Sequence, residues 1–322
     1  MTPPRMAWER IMDAARDAAI IGADRRRHLI RSRILATLAI LLLLAGLMVA
    51  VCPFMLRATA DARLGSVSGG FASMAASYPY TSRERMLDEA REYNRRLLKS
   101  GQPVLGDVLD PDTGETGDFS GSDDPEYLRL LDVDGTGVMA RIRIPLIGVD
   151  LTVAHGASDE TLAHGAGHLH GSSLPVGGVG SRTVITGHSN YGESSLFTRL
   201  DELSEGDPFY LDVLGETLAY RVTDIRRVGP EDTDVLRIVS DRDLATLVTC
   251  TGQGNAMRLI VTGERADMPL QAPYPEDAPR DPSHALFAAG GAGTATLAAG
   301  LPATGMLRRR SRRTRNGAHA RA

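Results

Sequence analysis

Cysteine and lysine are almost absent from this chain of 322 residues. Of the two cysteines, Cys52 lies in an apolar run and Cys250 in a strand-like segment, so they are poor partners for each other and a disulfide-based scaffold is excluded. Lys99 is the single lysine, and nearly all the basic side chains are arginines. The net charge of −4 is too small to indicate nucleic-acid binding.

A long stretch without charge, Ile34 to Leu56, follows an arginine-rich segment at residues 1–33. It reaches the ~20 residues that a helix needs to cross the hydrocarbon core, and it exceeds the roughly 7–15 residues of a signal-peptide core. A buried core helix is the alternative, but such helices are rarely apolar on every side over this length. We therefore expect a transmembrane anchor at 34–56, with residues 1–33 in the cytoplasm and the following chain outside the cell.

The next two segments differ in composition. Residues 57–100 are predicted to be helical, because Met86, Ala90 and Tyr93 recur at helical spacing. Residues 101–126 are predicted to form a loop, because Gly and Pro interrupt a run that contains no lysine or arginine. The carboxylates of this acidic segment are those of Asp107, Asp110, Asp112, Glu115, Asp118, Asp123, Asp124 and Glu126. A solvated linker is the simplest interpretation of such a composition.

The C-terminal part repeats the pattern of the N-terminal part in reverse. Residues 267–284 are rich in proline and predict an extended linker. Residues 285–307 carry no charge and precede a basic tail at 308–322, which predicts a second transmembrane helix with its end in the cytoplasm. A flexible Gly/Ala-rich tail is the alternative, because small residues drive membrane insertion only weakly.

Residues 127–266 have the composition of a compact all-β domain, a barrel or a sandwich, with short strand-like segments separated by glycine-rich turns. The predicted strands are Gly137 to Pro145, Val149 to His155, Thr183 to His188, Pro208 to Asp212, Glu216 to Val228, Thr246 to Cys250 and Met257 to Arg265. Short helices are predicted at 158–165, 194–203 and 240–245.

Three chemically useful side chains stand at the ends of predicted strands. One strand ends at Cys250, its neighbour in sequence starts near Arg258, and an upstream strand ends at His188. If these ends meet at one rim of a β-structure, the imidazole and the guanidinium would favour a reactive thiolate. The arginine could also stabilise the negative charge of a developing oxyanion. The alternative is that Cys250 is a small buried hydrophobic residue.

Histidines raise the question of a metal site. The candidates are His155, His164, His168 and His170. His164 and His168 are four residues apart, as ligands on one helix would be. Gly165 and Gly167 disfavour a helix there, and no Cys or Glu partner is evident. We expect no bound metal and no cofactor.

Several short motifs together resemble a known family. The sequence TLVTC at Thr246–Cys250 resembles the TLxTC signature of sortases, the cysteine transpeptidases of Gram-positive cell surfaces. Arg258 falls at the position of their arginine, and Thr186–His188 resembles their histidine strand. The resemblance runs from about Tyr127 to Arg265. Its other segments are Ile144–Pro145, Leu162–Leu169, Ser172–Gly178 and Leu196–Leu203.

The resemblance implies a closed β-barrel of about eight strands and an extracellular transpeptidase. Its catalytic residues would be Cys250 as nucleophile, His188 as proton donor and acceptor, and Arg258 at the oxyanion. The substrate would be an LPxTG-like sorting signal, cut between Thr and Gly. No cofactor is implied, and the expected partners are the membrane and LPxTG-bearing pilin subunits, with the enzyme a monomer.

Three features resemble the pilin-polymerising sortases of class C in particular. These are the helix containing Glu92–Asn94, the second predicted anchor, and the acidic segment. In that class a lid with an Asp-Pro-aromatic tip covers the cysteine, and Asp110, Pro111 and Asp112 fall at this place. The third residue is an aspartate here, so the aromatic plug is missing, but Asp110 is expected to be able to pair with Arg258.

Two other functions compete with this interpretation. A housekeeping sortase would attach proteins to peptidoglycan instead of joining pilins. A structural surface protein would carry its own sorting signal, and Leu301–Gly305 reads LPATG. However, the apolar stretch precedes this motif instead of following it, and Lys99 is the only lysine acceptor, so we interpret the match as accidental.

Overall fold

The computed structural model describes residues 7–103, 105, 124–189, 196–252 and 256–267. The chain divides into two compact units, Met1–Thr59 and Ala60–Ala322. The first unit is helical, since it holds most of the long helix α1 (Ala7–Ser77). Within the described chain α1 alone is long and apolar enough to cross a membrane, and its position suits either an anchor or a signal segment. The predicted second span, 285–307, lies outside the described residues.

The second unit is a β-barrel with helices around it. After the end of α1 come the helices α2 (Tyr80–Lys99), α3 (Pro125–Arg129) and α4 (Asp159–His164). The eight strands are β1 (Val138–Ile144), β2 (Val149–His155), β3 (Ala166–His168), β4 (Ser181–Thr186), β5 (Pro208–Val213), β6 (Glu216–Val228), β7 (Asp243–Thr251) and β8 (Met257–Ala266). They close in the order β1-β2-β3-β4-β7-β8-β6-β5. The predicted all-β closed barrel of about eight strands is therefore confirmed.

Parallel pairing occurs at two places in a barrel that is otherwise antiparallel. β2 pairs with β3 in parallel, and β4 pairs with β7 in parallel. Each parallel pair needs a crossover connection, which contains α4 between β2 and β3 and contains β5 and β6 between β4 and β7. The short strand β3 was not among the predicted strands, because its three residues include two small ones and show no alternation.

The predicted helix at 240–245 is wrong. Strand β7 already begins at Asp243, where it pairs with Ser181 of β4. This pairing outweighs the local preference of the short segment, as tertiary contacts often do. The helix predicted at 158–165 is confirmed in a shorter form as α4, whereas the segment predicted at 194–203 contains only a short 3-10 helix at Leu200–Glu202 among its described residues.

The predicted loop 101–126 is also too long at its C-terminal end. Asp124 caps α3 by accepting a hydrogen bond from the Tyr127 backbone N–H at 2.9 Å, so Pro125 and Glu126 are helical. Most of this segment, residues 106–123, lies outside the described residues, and the predicted lid residues Asp110, Pro111 and Asp112 lie there with it.

Helix α2 docks onto the barrel through a mostly apolar face. Leu87 and Ala90 are buried in the main core, while Met86 and Tyr93 pack against it, which confirms the helical spacing seen in the sequence.

A buried amide on the same helix fixes it against one loop of the barrel. Asn94 forms a two-way contact with the backbone of Leu174: its Nδ2 donates to the carbonyl at 3.0 Å, and its Oδ1 accepts from the N–H at 2.7 Å. Because both polar groups of the amide are satisfied, its burial is compatible with a stable interface.

A buried tyrosine–histidine cluster closes the barrel near α3. The Tyr127 hydroxyl lies 3.1 Å from Nδ1 of His168 and accepts a hydrogen bond from the Gly156 N–H at 2.9 Å. Nε2 of His168 lies 2.8 Å from the carbonyl oxygen of Ser173, so this nitrogen carries a proton and donates it to the carbonyl. Burial lowers the pKa of His168 to about 3.

This buried histidine predicts a pH-dependent stability. The pKa of His168 is about 3 in the folded state and near 6.5 when unfolded, so protons favour the unfolded chain. We expect the free energy of unfolding to fall as pH decreases below about 6.5, by up to ~1.4 kcal/mol per pH unit for this one proton. Denaturant titrations of the full chain in detergent, followed by near-ultraviolet circular dichroism between pH 7 and pH 5, would measure the slope.

His168→Gln should cost stability at pH 7 but flatten this slope. His164→Gln is the matched control, because His164 lies at the end of the short surface helix α4 and its replacement should leave the slope unchanged. An equally steep slope in His168→Gln would show that other groups cause the acid sensitivity.

Candidate active site

Cys250 and Arg258 lie on the neighbouring strands β7 and β8, and His188 follows the end of β4, the other neighbour of β7. Cys250 and Arg258 are direct cross-strand partners in the antiparallel pair of β7 and β8. The parallel pair of β4 and β7 ends with Thr186 opposite Val248. His188 lies two residues beyond Thr186, just as Cys250 lies two residues beyond Val248. The structure thus brings the three predicted residues to the same level of the barrel wall.

The side chains of Cys250 and Arg258 occupy the outward face of the wall. Along β7, Leu247 belongs to the main core, whereas Val248 packs against a separate apolar cluster. Because side chains alternate along a strand, Cys250 shares the outward face with Val248. The same alternation places Arg258 on the face of Ile260, which belongs to that outer cluster. Cys250, His188 and Arg258 are each half-buried, so a peptide in solution can reach them.

The backbone that carries His188 is fixed by four hydrogen bonds, three of them to β7. The Gly187 N–H donates to the Val248 carbonyl at 3.1 Å, and the Thr249 hydroxyl donates to the Gly187 carbonyl at 2.8 Å. The Ser189 hydroxyl donates to the Cys250 carbonyl at 2.7 Å. On the other side, the Phe197 N–H donates to the His188 carbonyl at 3.0 Å. The histidine is therefore held on a rigid support next to the cysteine.

Gly187 has a steric reason to be glycine. A Cβ at this position would lie 2.9 Å from the ring of Phe197, closer than real contacts allow. The aromatic ring is fully buried in the main core, so it has no space to move away. The glycine before His188 therefore allows the backbone at the end of β4 to pass close to the Phe197 ring. This close contact is the physical basis of the Thr186–His188 motif.

An apolar floor adjoins the three residues. Its buried members are Leu105, Val184, Leu236 and Ile260, and its half-buried members are Leu169, Val228, Val235 and Val248. We call these eight residues the outer apolar cluster. Its half-buried members offer the accessible part of this surface, along which an extended peptide with apolar side chains can lie and still present a carbonyl to Cys250.

The two ends of the acidic segment are tied to one loop beside this cluster. Gln102 is buried, and its Nε2 donates to the Gly171 carbonyl at 3.0 Å while its Oε1 accepts from the Ile238 N–H at 2.9 Å. At the other end, Asp124 Oδ2 lies 3.3 Å from Nε2 of His170. Both ends thus attach to adjacent residues of the β3–β4 loop.

The carboxyl of Asp124 is held in its charged form. Its partial burial alone would raise its pKa, but the hydrogen bonds from the Tyr127 N–H and from His170 outweigh this effect, so the pKa lies below its usual value. A charged carboxylate at this end of the segment strengthens the contact with His170.

Sequence reasoning did not single out Gln102 or the pairing of Asp124 with His170. A glutamine in a polar loop gives no pattern, and only the left-handed backbone (φ 54°) marks Gln102 as unusual. The residue before it, Gly101, also has a positive φ, which agrees with a helix that ends at Lys99. In the sequence, only Gly101, two residues after the end of the helix, indicates this turn.

The candidate metal ligands lie in other contacts. The ring nitrogens of His155 face two backbone carbonyls, those of Gly137 and Leu130, at 2.8 and 2.9 Å. Nε2 of His168 faces the Ser173 carbonyl, and Nδ1 of His164 faces the Glu160 carbonyl. Within the described chain, no three His, Cys, Asp or Glu side chains are grouped as metal ligands would be.

Comparison with known proteins agrees with this geometry. The Sortase domain family model matches residues 142–266, which begin in β1 and end with β8. Sortase C-1 from Actinomyces oris is 43% identical, with a TM-score of 0.51, over 58% of this chain and 99% of that one. Sortase C from Streptococcus pneumoniae is 34% identical, with a TM-score of 0.54, over 65% of this chain and 100% of that one.

A curated relative gives a partial match. Sortase A of Streptococcus agalactiae is 29% identical over 131 residues, which are 39% of this chain and 52% of that protein. The chain therefore spans about half the length of this relative, although it covers nearly all of both crystallised neighbours. The family model, the closed barrel and the neighbouring structures lead to one conclusion: the chain belongs to the sortase family.

Proposed function

We propose that this protein is a membrane-anchored cysteine transpeptidase that acts outside the cell on LPxTG-like sorting signals. The observation that carries the proposal is that Cys250, His188 and Arg258 lie at the same height of the barrel wall, beside the outer apolar cluster. A half-buried thiol next to an imidazole and a guanidinium is the arrangement that nucleophilic acyl transfer requires. The apolar floor supplies a surface that suits the Leu and Pro of such a signal.

The reaction follows from the chemistry of the three side chains. The Cys250 thiolate attacks the Thr carbonyl carbon, and the electron pair of the carbonyl moves to its oxygen. Arg258 stabilises this oxyanion through its guanidinium. When the tetrahedral intermediate collapses, the C–N bond to Gly breaks, and His188 gives its proton to the leaving amine. The product is a thioester on Cys250 and a released Gly-containing segment.

The second half-reaction reverses these roles. An incoming amine attacks the thioester, His188 takes its proton, and the thiolate of Cys250 leaves. For a class C enzyme the amine is a lysine side chain of the next pilin, which gives an isopeptide bond. The neighbouring sortase C structures and the helix α2 before the barrel favour this class. The housekeeping alternative would use a peptidoglycan amine, and it is kept because the matched curated relative is named sortase A.

We also propose that the acidic segment acts as a lid over Cys250, with Asp110, Pro111 and Asp112 at its tip. The aspartate in the third place leaves the tip without an aromatic plug, so we expect contact with Arg258 through the Asp110 carboxylate to hold the lid.

The described ends of the acidic segment support this role. Leu105, near the N-terminal end, is buried in the outer apolar cluster, the same surface that adjoins the catalytic residues. Gln102 and Asp124 fasten the two ends of the segment to the β3–β4 loop. The segment between these two residues therefore begins and ends beside the outer apolar cluster. A segment of this length is long enough to reach Cys250 from there.

Topology completes the proposal. The apolar part of α1 is proposed as the anchor, with the barrel outside the cell and the arginine-rich N-terminus in the cytoplasm. Residues 285–307 are proposed as a second anchor that returns the C-terminus to the cytoplasm, on the strength of their composition and the basic tail after them. The enzyme is proposed to work as a monomer on LPxTG-bearing pilin subunits.

The first prediction of this proposed function concerns the nucleophile. The full chain in detergent micelles, incubated with an LPxTG peptide, should gain the mass of the peptide up to its Thr as a thioester. Cys250→Ala should show no adduct, because the thiol that carries the acyl group is gone. Cys52→Ala is the matched control and should retain it. Intact mass spectrometry makes the measurement, and an adduct that persists in Cys250→Ala would refute the assignment.

The second prediction concerns the oxyanion. Arg258→Ala should lower kcat/KM for peptide cleavage by about 10²-fold or more, as the loss of other oxyanion donors does. Arg227→Ala is the matched control, because Arg227 is an exposed arginine on the adjoining end of β6. Its activity should stay within about twofold of the unsubstituted chain, in keeping with the small effects of surface changes. Equal activity of the two variants would remove Arg258 from the mechanism.

The third prediction concerns the lid. Deletion of residues 108–118 should speed the alkylation of Cys250 by a soluble thiol reagent, because the thiol would no longer be covered. The rate is measured in Cys52→Ala so that a single thiol is counted. An unchanged alkylation rate would contradict the gating role and leave the transpeptidase proposal intact.

A further inference from the structure

Arg182 is a buried cation on the outward face of β4, and the proposed reaction does not use it. The residue is only 7% exposed. Nη1 donates to the Thr246 hydroxyl at 2.9 Å, while Nε is buried without a hydrogen-bond partner among the described residues. Among the described residues, no carboxylate forms an ion pair with Arg182. Burial lowers the pKa of Arg182 to about 10, which leaves the guanidinium charged at neutral pH.

The charges around Arg182 do not neutralise it. Arg242 pairs with Glu264 at 2.7 Å, and Arg226 pairs with Asp224 at the same distance. These neighbours are therefore already matched with one another, and the two arginines oppose the charge on Arg182 more than Asp224 supports it. A charged group in so dry a place is costly unless a partner of opposite charge joins it.

The position of Arg182 relative to Cys250 is set by the register of β4 and β7. Its bonded partner, Thr246, precedes Cys250 by four residues on the same face of β7. A strand rises about 3.3 Å per residue, so this distance is about 13 Å. Val248 of the outer apolar cluster lies between the two points, with Val184 beside it on β4. A track of outward-facing residues thus runs from the half-buried thiol, past half-buried Val248, to the buried side chains of Thr246 and Arg182. A ligand reaches the cation only when the side chains of the outer apolar cluster that pack with Val184 move aside.

A peptide in extended conformation covers this track with a defined number of residues. If the Thr carbonyl lies at Cys250, about 13 Å of extended chain corresponds to four residues toward the N-terminus. In Leu-Pro-x-Thr, the fourth residue before Thr is the one directly before Leu. Leu and Pro then take the place of the apolar side chains that cover this stretch of the wall, which matches their chemistry.

We infer that Arg182 is a specificity residue that binds the carboxylate of an acidic side chain directly before the Leu of the sorting signal. The inference rests on the proposed cleavage of LPxTG-like signals. An acidic side chain there would supply the charge that Arg182 lacks, through hydrogen bonds between two charged groups in a site with little water. Substrates with Glu or Asp before the motif would therefore be preferred.

The test compares two peptides that differ in one charge. Glu-Leu-Pro-Ala-Thr-Gly and Gln-Leu-Pro-Ala-Thr-Gly, blocked at both ends, are offered to the full chain in detergent micelles. We expect kcat/KM to favour the Glu peptide by about tenfold, the effect of one charged hydrogen bond. Arg182→Gln should reduce this ratio to about one. Arg221→Gln, which changes an exposed arginine on β6, should keep the ratio of the unsubstituted chain.

Other outcomes would overturn the inference. A ratio near one in the unsubstituted chain, which does not depend on whether any variant folds, would show that Arg182 binds no substrate carboxylate. A ratio that survives in Arg182→Gln would place the recognition elsewhere. Faster cleavage of both peptides alike by Arg182→Gln would assign the cation to the acidic segment of this chain instead.

Failure of the proposed function can be separated from failure of this inference. If neither peptide is cleaved, the transpeptidase assignment is contradicted, but binding remains measurable. Fluorescence anisotropy with the two labelled peptides and Cys250→Ala gives their Kd values directly. A tenfold tighter Kd for the Glu peptide that disappears in the double variant with Arg182→Gln would support the subsite, and equal Kd values would refute it.

Discussion

The parallel pairing of β4 with β7 is the constraint on which the site depends. It holds six residues of β4 against six of β7, from Ser181 opposite Asp243 to Thr186 opposite Val248. A slip of one residue would turn every side chain to the other face of the wall. His188 would then point away from Cys250, and the apolar residues of the outer cluster would exchange places with those of the core. The register of one strand pair therefore sets both the chemistry and the peptide-binding surface.

The antiparallel pair of β7 and β8 adds the third functional side chain. Arg258 is placed opposite Cys250 by a ladder of eight paired residues of β7, from Leu244 to Thr251. Groups carried on strands are held more rigidly than groups carried on loops. His188 lies beyond the end of β4, and its neighbour Ser189 fastens this segment to β7 through the Cys250 carbonyl.

The sequence was most informative where function and local pattern coincide. The two strands that lead to His188 and Cys250 were predicted, although β4 ends at Thr186 and β7 continues to Thr251, and the TLVTC motif identified the family. The short strand β3 and the early start of β7 at Asp243 were missed, because both depend on pairing with distant residues. The special position of Arg182 could not be predicted either. Its burial, and the lack of a carboxylate beside it among the described residues, are seen only in the folded chain.

The tyrosine–histidine cluster and the active site share a structural element, the β3–β4 loop. His168 at the end of β3 is neutral and buried, and the loop that follows binds both ends of the acidic segment, through His170 and Gly171. His168 also contacts Ser173 in the same loop, so its hydrogen bonds help to set the loop's shape. The Tyr127 hydroxyl donates to the His168 carbonyl at 3.0 Å and also lies against the ring, so the same tyrosine holds both the backbone and the side chain of His168. The core that stabilises the barrel thereby also positions the segment proposed to cover the thiol.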